Sequence, residues 1–368
     1  MDMKVVIAGG GIVGCAIAAR LGETDHDVTL LERSRIGSET TAASAGILME
    51  NVIDPTPFDL RFRMRARSVY DELFDRGPLE STRIGVCYLA ETDQFAERLE
   101  ASAATLGEHG VDASYLKADE LSRLGVDPDG FVGGLYTPND RLCEPVAVAN
   151  WFADCARRTG VDVRTGATVT DVRTHDGAVS SVETETDRFD ADCVINATGP
   201  WAPKLNETVG VSLPLRQTLG PMAALETDHP LESPVTILES KRYVRPTGGN
   251  DGPGAWVGEY RTAYEDGQQY DPDDCAVPDG FADSASDLAA VVPGLEGATV
   301  VNEWLGCRTV TPDGRPIVGE TSVDGFVVAC GLSGQGITLA PAVADVVHDA
   351  LEGTLEDEYR KHLSPDRF

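Results

Sequence analysis

The chain has 368 residues, 42% of them hydrophobic, which is typical of a globular protein large enough for two cores. Asp and Glu number 61 against 30 Lys and Arg, and the formal net charge of −31 argues against nucleic acid or an anionic membrane surface as a partner. The acids are dispersed and only five of the basic residues are lysine, so the composition favours the cytoplasm of a halophilic organism over a dedicated surface for a basic partner.

Residues 5–19 form an uncharged stretch close to the N-terminus. The stretch includes four glycines, stops at Arg20 and is too short to span a bilayer. No other stretch approaches the length of a membrane span, so we predict neither a signal peptide nor a transmembrane segment. The eight cysteines include no CxxC pair and no Cys/His cluster, so we predict no metal site; disulfides stay open, but reduced thiols are favoured.

A glycine-rich motif of GxGxxG spacing lies in the setting that dinucleotide binding requires. The apolar run of residues 4–8 predicts a buried parallel strand just before the motif. Residues 15–21 predict a helix, and residues 27–32 predict a second strand that ends in Glu32. Strand, turn, helix, strand and terminal acid occur in the order of a Rossmann-type βαβ unit. The motif glycines are Gly9, Gly11 and Gly14.

Each residue of this motif has a physical role. Gly9 permits the tight turn from strand to helix, Gly11 lets a pyrophosphate approach the backbone, and Gly14 lets the helix pack closely on the strand. The helix N-terminus presents N–H groups and a positive dipole end to the phosphates. Glu32 can accept hydrogen bonds from both ribose hydroxyls, and its charge disfavours the 2′-phosphate of NADP.

Residues 33–47 are rich in small and hydroxyl-bearing side chains, and we predict that they open a helix. An accessible backbone with hydroxyl donors suits a second anion site, which favours FAD over a simple NAD site. The residues alone leave a Ser/Thr-rich loop with a helix cap as the alternative.

The middle of the chain predicts an insertion that returns to the dinucleotide domain. Residues 143–160 have the pattern of an amphipathic helix. Short strands are predicted at 161–164 and 167–173, and a hairpin at 179–190. Residues 191–200 predict a buried strand that ends in a turn.

The C-terminal half predicts a second sheet and then a second glycine-rich turn. Residues 213–226, 235–246 and 255–260 have the pattern of strands in a mostly antiparallel sheet, and residues 266–283 that of a surface loop. Further along, a strand is followed by the glycine-rich turn of residues 331–338 and an apolar helix. A second helix N-terminus is therefore available to polarise a ligand.

Together these residues resemble the D-amino-acid oxidase superfamily of FAD-dependent oxidoreductases, most nearly its glycine oxidase and sarcosine oxidase branch. The resemblance runs over nearly the full length and is specific for the family, but not for a substrate. It is carried by the GxGxxG motif with Glu32, residues 40–46, residues 197–201, Arg308 with residues 311–319, and residues 331–341.

The resemblance implies an FAD cofactor, with non-covalent binding favoured over covalent attachment near Cys307. Beyond the motif glycines and Glu32, the implied cofactor residues contact the pyrophosphate, the ribose, the adenine or the flavin ring. They are Ile12, Val13, Arg33, Thr40, Thr41, Ala45, Gly46, Ile47, Val169, Gly199, Gly331, Leu332, Ser333, Gly334, Gln335, Gly336, Ile337 and Thr338.

The resemblance also implies two residues for a carboxylate-bearing substrate. Arg308 matches an arginine that grips the substrate carboxylate, which a guanidinium binds through two parallel hydrogen bonds. Tyr243 matches a tyrosine that shares this carboxylate, although a core aromatic in a strand is the alternative. Thr309 stands where the family often has proline, and Gly334 and Gln335 stand where some relatives carry His or Arg, which leaves the substrate open.

We therefore expect an α/β fold in which a Rossmann-type FAD-binding domain carries a second, mostly antiparallel β-sheet substrate domain of α+β type. The FAD-binding domain is predicted to be discontinuous, and the substrate or cap domain to fill the gaps between its parts. The predicted boundaries are 1–80, 142–212 and 302–368 for the FAD-binding domain, and 81–141 and 213–301 for the substrate domain.

The expected reaction is oxidation of the CH–NH bond of an amino acid or N-substituted amino acid, of glycine, sarcosine or D-amino acid type, by hydride transfer to flavin N5. The alternatives are a 2-hydroxyacid or glycerol-3-phosphate-type dehydrogenase on the same fold, and a flavin-binding protein without turnover. None of the six histidines lies in a predicted flavin loop, which favours the amine because an alcohol needs a base. Oxygen and a respiratory carrier both stay open as electron acceptors, as does a homo-oligomer.

Overall fold

The computed structural model describes residues 2–247, 252–269 and 271–368, apart from the side chain of Ser286. The described strands are β1 (Lys4–Ala8), β2 (Asp27–Glu32), β3 (Ile47–Leu48), β4 (Thr82–Arg83), β5 (Val86–Ala90), β6 (Ser114–Lys117), β7 (Gly133–Thr137), β8 (Arg141–Leu142), β9 (Asp162–Thr165), β10 (Val169–His175), β11 (Ala178–Thr184), β12 (Arg188–Asp190), β13 (Cys193–Asn196), β14 (Arg216–Glu226), β15 (Val235–Leu238), β16 (Arg242–Pro246), β17 (Gly254–Glu259), β18 (Thr299–Val310), β19 (Ile317–Glu320) and β20 (Phe326–Cys330). The described helices are α1 (Ile12–Leu21), α2 (Pro57–Asp75), α3 (Asp93–Glu108), α4 (Ala118–Leu121), α5 (Pro145–Arg158), α6 (Ala202–Thr208), α7 (Phe281–Ala285), α8 (Gly336–Leu351) and α9 (Asp357–Leu363).

The first sheet has six strands in the order β9-β2-β1-β13-β20-β19. Its first five strands run parallel, and β19 is antiparallel to β20 at the edge. The parallel strands β1, β13 and β20 are almost wholly buried, as their continuous apolar sequences require. The carboxyl ends of all five parallel strands therefore lie at one edge, where α/β sheets bind their ligands.

Both faces of the six-stranded sheet are covered. Helices α1, α5 and α8 pack together on one face, around a core that includes Ile7, Ile17 and Val343. The other face carries α6 and the small antiparallel sheet of β10, β11 and β12, around a core that includes Phe326. The sequence therefore predicted the Rossmann-type half of the molecule and its small-sheet insertion correctly.

The second sheet has eight strands in the order β18-β14-β17-β16-β15-β5-β7-β6. Neighbouring strands are antiparallel except for the parallel pair β15 and β5. One face packs on α3 and on the segment after β3, with Tyr88, Met222 and Tyr243 among its buried residues. This mixed α/β architecture, with a parallel and a mostly antiparallel sheet, confirms the predicted fold class.

Two local predictions were wrong. Residues 38–44 form turns and lead into β3 instead of opening a helix, because the chain passes through Gly46 at φ +67°. The next helix is α2, which begins after a capping box in which Thr56 and Asp59 bond to each other's backbone N–H groups. The predicted strand of residues 235–246 is two strands, β15 and β16, separated by a turn in which Lys241 has φ +69°.

The predicted domain boundaries can be compared with the strands. The eight-stranded sheet takes its strands from residues 86–137 and 216–310. Strand β18 crosses the predicted border at residue 302 and continues in this sheet to Val310. The division into domains stays a prediction. In the described part of the chain, no helix is both long enough and apolar enough to cross a membrane.

Candidate functional site

A cavity of about 410 Å³ lies at the carboxyl edge of the six-stranded sheet. Among the described residues, the segments that follow the five parallel strands β1, β2, β9, β13 and β20 all contribute to its lining. Val169 and, from the second sheet, Arg308 are also among the lining residues. The parallel topology therefore brings together segments that are far apart in sequence, as a dinucleotide site requires.

The N-terminus of α1 forms the middle of the cavity wall. Gly9 has φ +107°, and a Cβ atom at this position would lie 2.6 Å from the carbonyl oxygen of Ala197. A Cβ atom at Gly14 would lie 1.9 Å from the carbonyl oxygen of Gly9, so Gly14 allows the close packing of helix on strand. Gly11 faces the cavity, where a Cβ atom would fill space beside the Thr41 hydroxyl.

Two threonine hydroxyls of the segment after β2 hold this wall in place. The Thr41 hydroxyl accepts a hydrogen bond of 3.0 Å from the N–H of Ile12 in the first turn of α1. The Thr40 hydroxyl donates to the carbonyl oxygen of Cys307 in β18, at 3.0 Å. Both threonines line the cavity. They belong to the segment that is predicted to be a second anion site, and their hydrogen bonds link α1 to the second sheet through this segment.

Glu32, at the end of β2, is buried and lines the cavity. Its carboxylate accepts hydrogen bonds of 2.7 Å from the N–H groups of Gly10 and Ser34. These bonds fix the glycine-rich turn relative to β2. A carboxylate has about four acceptor positions, so capacity for ribose hydroxyls remains.

A short acidic loop of residues 271–275 contacts the first sheet's loops beside the cavity. The Arg33 guanidinium stacks 4.0 Å above the Trp201 ring, and both side chains donate hydrogen bonds of 2.9 Å to Asp273. Lys204 donates to Asp271 at 2.7 Å. Although burial acts to raise it, the bonds from Arg33 and Trp201 hold the pKa of Asp273 below its ordinary value.

Most predicted cofactor residues line the cavity, and a minority lie outside it. Those that line it are Gly9, Gly11, Ile12, Val13, Glu32, Arg33, Thr40, Thr41, Val169, Gly199, Leu332, Ser333, Gly334, Gly336 and Ile337. Those that do not are Gly14, Ala45, Gly46, Ile47, Gly331, Gln335 and Thr338.

Hydrogen bonds join the glycine-rich turn after β20 to the β3 segment and to α2. Thr338, in the first turn of α8, donates to the carbonyl oxygen of Ile47 and accepts from the N–H of Met49, both at 3.3 Å. Arg63 of α2 donates to the side-chain oxygen of Gln335. These two predicted cofactor residues therefore hold the turn against β3 and α2.

Arg308 lies where the second sheet meets the cavity. A Cβ atom at Gly220 on the neighbouring strand β14 would lie 1.8 Å from Nη2 of Arg308. On the other side, a Cβ atom at Gly334 would lie 3.1 Å from Nη1. The guanidinium thus occupies a slot between two glycines, beside the turn that lines the cavity. A cation in such a slot can bind a carboxylate in a fixed orientation.

Tyr243, on β16, is buried close to Arg308 but does not line the cavity. Its hydroxyl contacts the Met222 sulfur at 2.6 Å, and Gly258 leaves the space for the ring. Burial raises the pKa of Tyr243 to about 12, while the nearby Arg308 acts to lower it. At neutral pH the side chain is therefore a neutral donor, able to supplement a guanidinium.

Sequence reasoning missed several residues that the structure brings to the site. Trp201 ends the motif of residues 197–201, which by itself indicates no role for the ring, and Lys204 lies in the helix that follows it. Asp273 was assigned to a surface loop, and no local pattern distinguishes it from neighbouring acids. Arg63 lies on α2, a helix that the sequence analysis does not predict.

The residues present fit FAD. The first turn of α1 faces a glycine-lined wall that can receive a pyrophosphate, and Glu32 lies at the end of β2 where a ribose is expected. The cavity extends from there to Arg308 and to the N-terminus of α8, which gives room for a flavin beside a cation. Among the described residues, no group of three His, Cys, Asp or Glu side chains is arranged to hold a metal ion.

Comparisons with known proteins agree with this fit. The family model described as DAO, FAD dependent oxidoreductase, matches residues 4–350. A glycine oxidase from Geobacillus kaustophilus is 27% identical over 363 residues, which cover 95% of this chain and 92% of that protein. A D-amino acid dehydrogenase from Methylobacterium nodulans is 26% identical over 435 aligned positions, covering 100% of this chain and 99% of that protein. The solved structure of an L-proline dehydrogenase from P. horikoshii shares the fold, with a TM-score of 0.88 at 21% identity over 100% of this chain and 98% of that chain. The chain therefore belongs to the DAO family and is an FAD-dependent oxidoreductase.

Proposed function

We propose that this enzyme oxidises the CH–NH bond of an amino acid or N-substituted amino acid, of glycine, sarcosine or D-amino acid type. The observation that carries the proposal is the position of Arg308, which lines the cavity and is held between Gly220 and Gly334. A guanidinium there can bind the substrate carboxylate by two parallel hydrogen bonds. Glycine and the D-amino acids, after which the two relatives above are named, carry such a carboxylate.

Bound FAD would supply the two-electron acceptor for the hydride of the substrate carbon. The protein's part is to hold the substrate in one orientation. Arg308 binds the carboxylate and Tyr243, neutral and buried, supports it. The N-terminus of α8 presents its N–H groups and positive dipole end toward the site, which favours negative charge there.

The side chains of the cavity support an amine substrate over an alcohol. Among the described lining residues there is no histidine. The lining carboxylates have partners already: Glu32 accepts from backbone N–H groups, and Glu39 and Asp273 both pair with Arg33. An alcohol needs a base near the reacting carbon, whereas a neutral amine does not.

We propose that the lining residues named above hold the FAD and that the binding is non-covalent. The Cys307 thiol, the nearest candidate for attachment, is buried in β18 and does not line the cavity. The predicted cofactor residues that do not line the cavity would act indirectly, by holding the segments that form its wall. We also propose a halophilic, cytoplasmic setting on the strength of the net charge of −31 and the shortage of lysine.

The proposal is tested on the purified protein in high salt. The bound cofactor is identified, and the flavin absorbance is followed without oxygen as glycine, sarcosine, D-amino acids and 2-hydroxy acids are added in turn. We expect bleaching with at least one amino acid and none with the hydroxy acids. Arg308→Met is expected to keep its FAD and lose its affinity for carboxylate substrates. Bleaching by hydroxy acids alone, or by no substrate, would contradict the proposal.

A further inference from the structure

Two cysteines that are far apart in the sequence lie side by side in the structure. Cys275 ends the acidic loop of residues 271–275, and Cys307 lies in β18. Their side chains share a hydrogen bond, so the two sulfur atoms are close neighbours. Both side chains are in the thiol form. The pair therefore meets the first requirement for a disulfide, which is proximity.

The backbone just before the loop is paired with the sheet that contains β18. The backbones of Gln268 and Gln217 exchange hydrogen bonds of 2.9 and 3.0 Å, and Gln217 lies in β14. On the neighbouring strand β18, Thr309 is in register with Gln217, and Cys307 with Leu219. The chain therefore enters the loop from a position close to Cys307.

Further contacts hold the loop itself from the side of the cavity. Arg33 pairs with Asp273 of the loop at 2.9 Å and with Glu39 at 3.0 Å. Thr40, the residue after Glu39, donates a hydrogen bond to the carbonyl oxygen of Cys307. One short segment therefore contacts both the loop and the backbone of Cys307, so the two thiols are brought together by more than a single contact.

The two thiols differ in their access to solvent. Cys275 is partly exposed, whereas Cys307 is buried, with 8% of its surface exposed. Of the eight cysteines, all of them in the described part of the chain, only Cys155 of α5 is also partly exposed. A dissolved oxidant therefore reaches Cys275 first and finds Cys307 beside it.

The surroundings of Cys275 determine which oxidant suits it. Burial raises the pKa of its thiol, and the hydrogen bond with Cys307 acts to lower it. Because the thiolate is the form that reacts, oxidation at neutral pH is slow. The net charge of −31 repels anionic oxidants such as oxidised glutathione at low salt, whereas hydrogen peroxide is small and uncharged.

From this arrangement we propose that Cys275 and Cys307 form a redox-modification site, at which hydrogen peroxide creates a reversible disulfide that fastens the loop of residues 271–275 to β18 and slows the release of FAD. The Cys275 sulfur attacks the peroxide and becomes a sulfenic acid as one water leaves. The Cys307 sulfur then attacks the sulfenic sulfur, the S–S bond forms and a second water leaves. One peroxide thus takes two electrons from the two thiols, and a dithiol reductant reverses the reaction.

The link to FAD follows from what the loop contacts. Asp273 lines the cavity, and so do Arg33 and Trp201, which both donate hydrogen bonds to it. A covalent bond from the end of this loop to β18 keeps these contacts in place. A reversible bond also agrees with the cytoplasmic setting proposed above, where lasting disulfides are rare. The inference involves no substrate, so it stands or fails independently of the proposed function.

The test uses the FAD-loaded protein, treated with hydrogen peroxide. The remaining thiols are alkylated in denaturant, and the digest is analysed by mass spectrometry before and after reduction. We expect one pair of linked peptides, containing Cys275 and Cys307, and the return of both thiols with dithiothreitol. FAD release, measured as the recovery of free FAD fluorescence after dilution, should be about 2- to 5-fold slower after oxidation, since the ion pair that otherwise holds the loop is partly exposed.

Cys275→Ser and Cys307→Ser should each lose the linked peptides and the slower release. Cys307→Ser keeps the hydrogen bond from Thr40, which goes to the backbone, and Cys275→Ser changes a partly exposed position. Cys155→Ser is the matched control and should respond to peroxide as the wild type does.

Three results would overturn the inference. The first is oxidation of Cys275 alone, with Cys307 still a thiol, or no reaction of either. The second is a flavin attached covalently to Cys307, which would remove that thiol from the pair. The third is a disulfide that leaves the rate of FAD release unchanged.

Discussion

Gly220 determines whether Arg308 can occupy its slot. A Cβ atom at Gly220 would lie 1.8 Å from Nη2 and 2.7 Å from Cζ of Arg308, which is closer than any contact allows. We expect Gly220→Ala to move the guanidinium and to weaken binding of a monocarboxylate such as butyrate by at least about 10-fold, since the charged hydrogen bonds are lost. Binding is measured by titration of the flavin absorbance, and FAD content should be unchanged.

Gly306→Ala is the control for this prediction, because Gly306 faces Gly220 across the β14–β18 pair. A Cβ atom there has its nearest neighbour at 3.5 Å, an ordinary contact. The control should therefore bind butyrate as the wild type does. If Gly220→Ala binds butyrate with wild-type affinity, Arg308 does not hold the carboxylate from this slot.

Asp140 makes stability depend on pH. It is fully buried and accepts hydrogen bonds from Thr137 and from the N–H groups of Glu50 and Asn51. Burial raises its pKa from 3.8 to about 7, so the folded state holds a proton that the unfolded state has lost. Its contribution to stability is therefore present at about pH 4 and is lost as the pH rises to about 7.

The corresponding variant is Asp140→Asn, which has no charge to bury. We expect its free energy of unfolding relative to the wild type to rise between pH 5 and pH 7, by at most about 1.4 kcal/mol per unit for one proton, and to level off above that range. Urea unfolding at several pH values measures this difference. Asp25→Asn, at an exposed position, should show no such trend. A difference that is constant with pH would show that Asp140 stays ionised.

Residues whose roles depend on the local backbone could be predicted from the sequence. Gly9 and Gly14 were assigned their roles from the motif alone, and the positive φ of Gly9 and the close packing at Gly14 agree with those roles. Arg63 and Asp273 could not be found in this way. Their significance lies in which partners the fold brings near them, and those partners are 272 and 240 residues away.

At the scale of elements, the loop of residues 271–275 is hydrogen-bonded to other segments that line the cavity. Asp273 accepts hydrogen bonds from Arg33 and Trp201, and Lys204 holds the same loop through Asp271. We expect Asp273→Asn to release FAD about 2- to 5-fold faster, a modest effect because the ion pair is partly exposed. Release is measured as the recovery of free FAD fluorescence after dilution.

Asp274→Asn is the matched control, since it removes one charge from the same loop without touching the bonds to Arg33 and Trp201. Its FAD should dissociate at the wild-type rate. Raising the salt concentration should reduce the difference between the two variants, because screening weakens the Asp273 ion pair. Equal rates for both variants at low salt would show that the loop does not retain the cofactor.

Elements with a strong local signal were predicted within a few residues, and those fixed by distant contacts were not. The α5 pattern is amphipathic, and its observed bounds fall inside the predicted range. The Thr56–Asp59 capping box is also a local signal, and it indicates the start of α2. By contrast, β3 is a two-residue strand that exists because it pairs with β8, which the sequence of residues 40–48 cannot indicate.

At the scale of the whole molecule, the order of strands in the sheets was beyond the sequence. The first βαβ unit implied that β1 and β2 are neighbours, and they are. No local sequence pattern indicates that β13 lies on the other side of β1, or that β15 pairs in parallel with β5. These pairings join segments more than 100 residues apart and place Arg308 of one sheet beside the carboxyl ends of the other.

The net charge of −31 makes the whole molecule sensitive to salt. Surface carboxylates repel one another over about 10 Å at 0.1 M salt, and this range falls to about 3 Å at 1 M. Self-repulsion destabilises the compact state. We therefore expect the unfolding midpoint to rise steeply between 0.1 and 1 M KCl and more slowly beyond, as measured by circular dichroism during heating. Sucrose at matched osmolality is the control, because it is excluded from the surface without screening charge. A midpoint that rises equally in sucrose, or that does not rise in KCl, would show that charge repulsion does not limit stability.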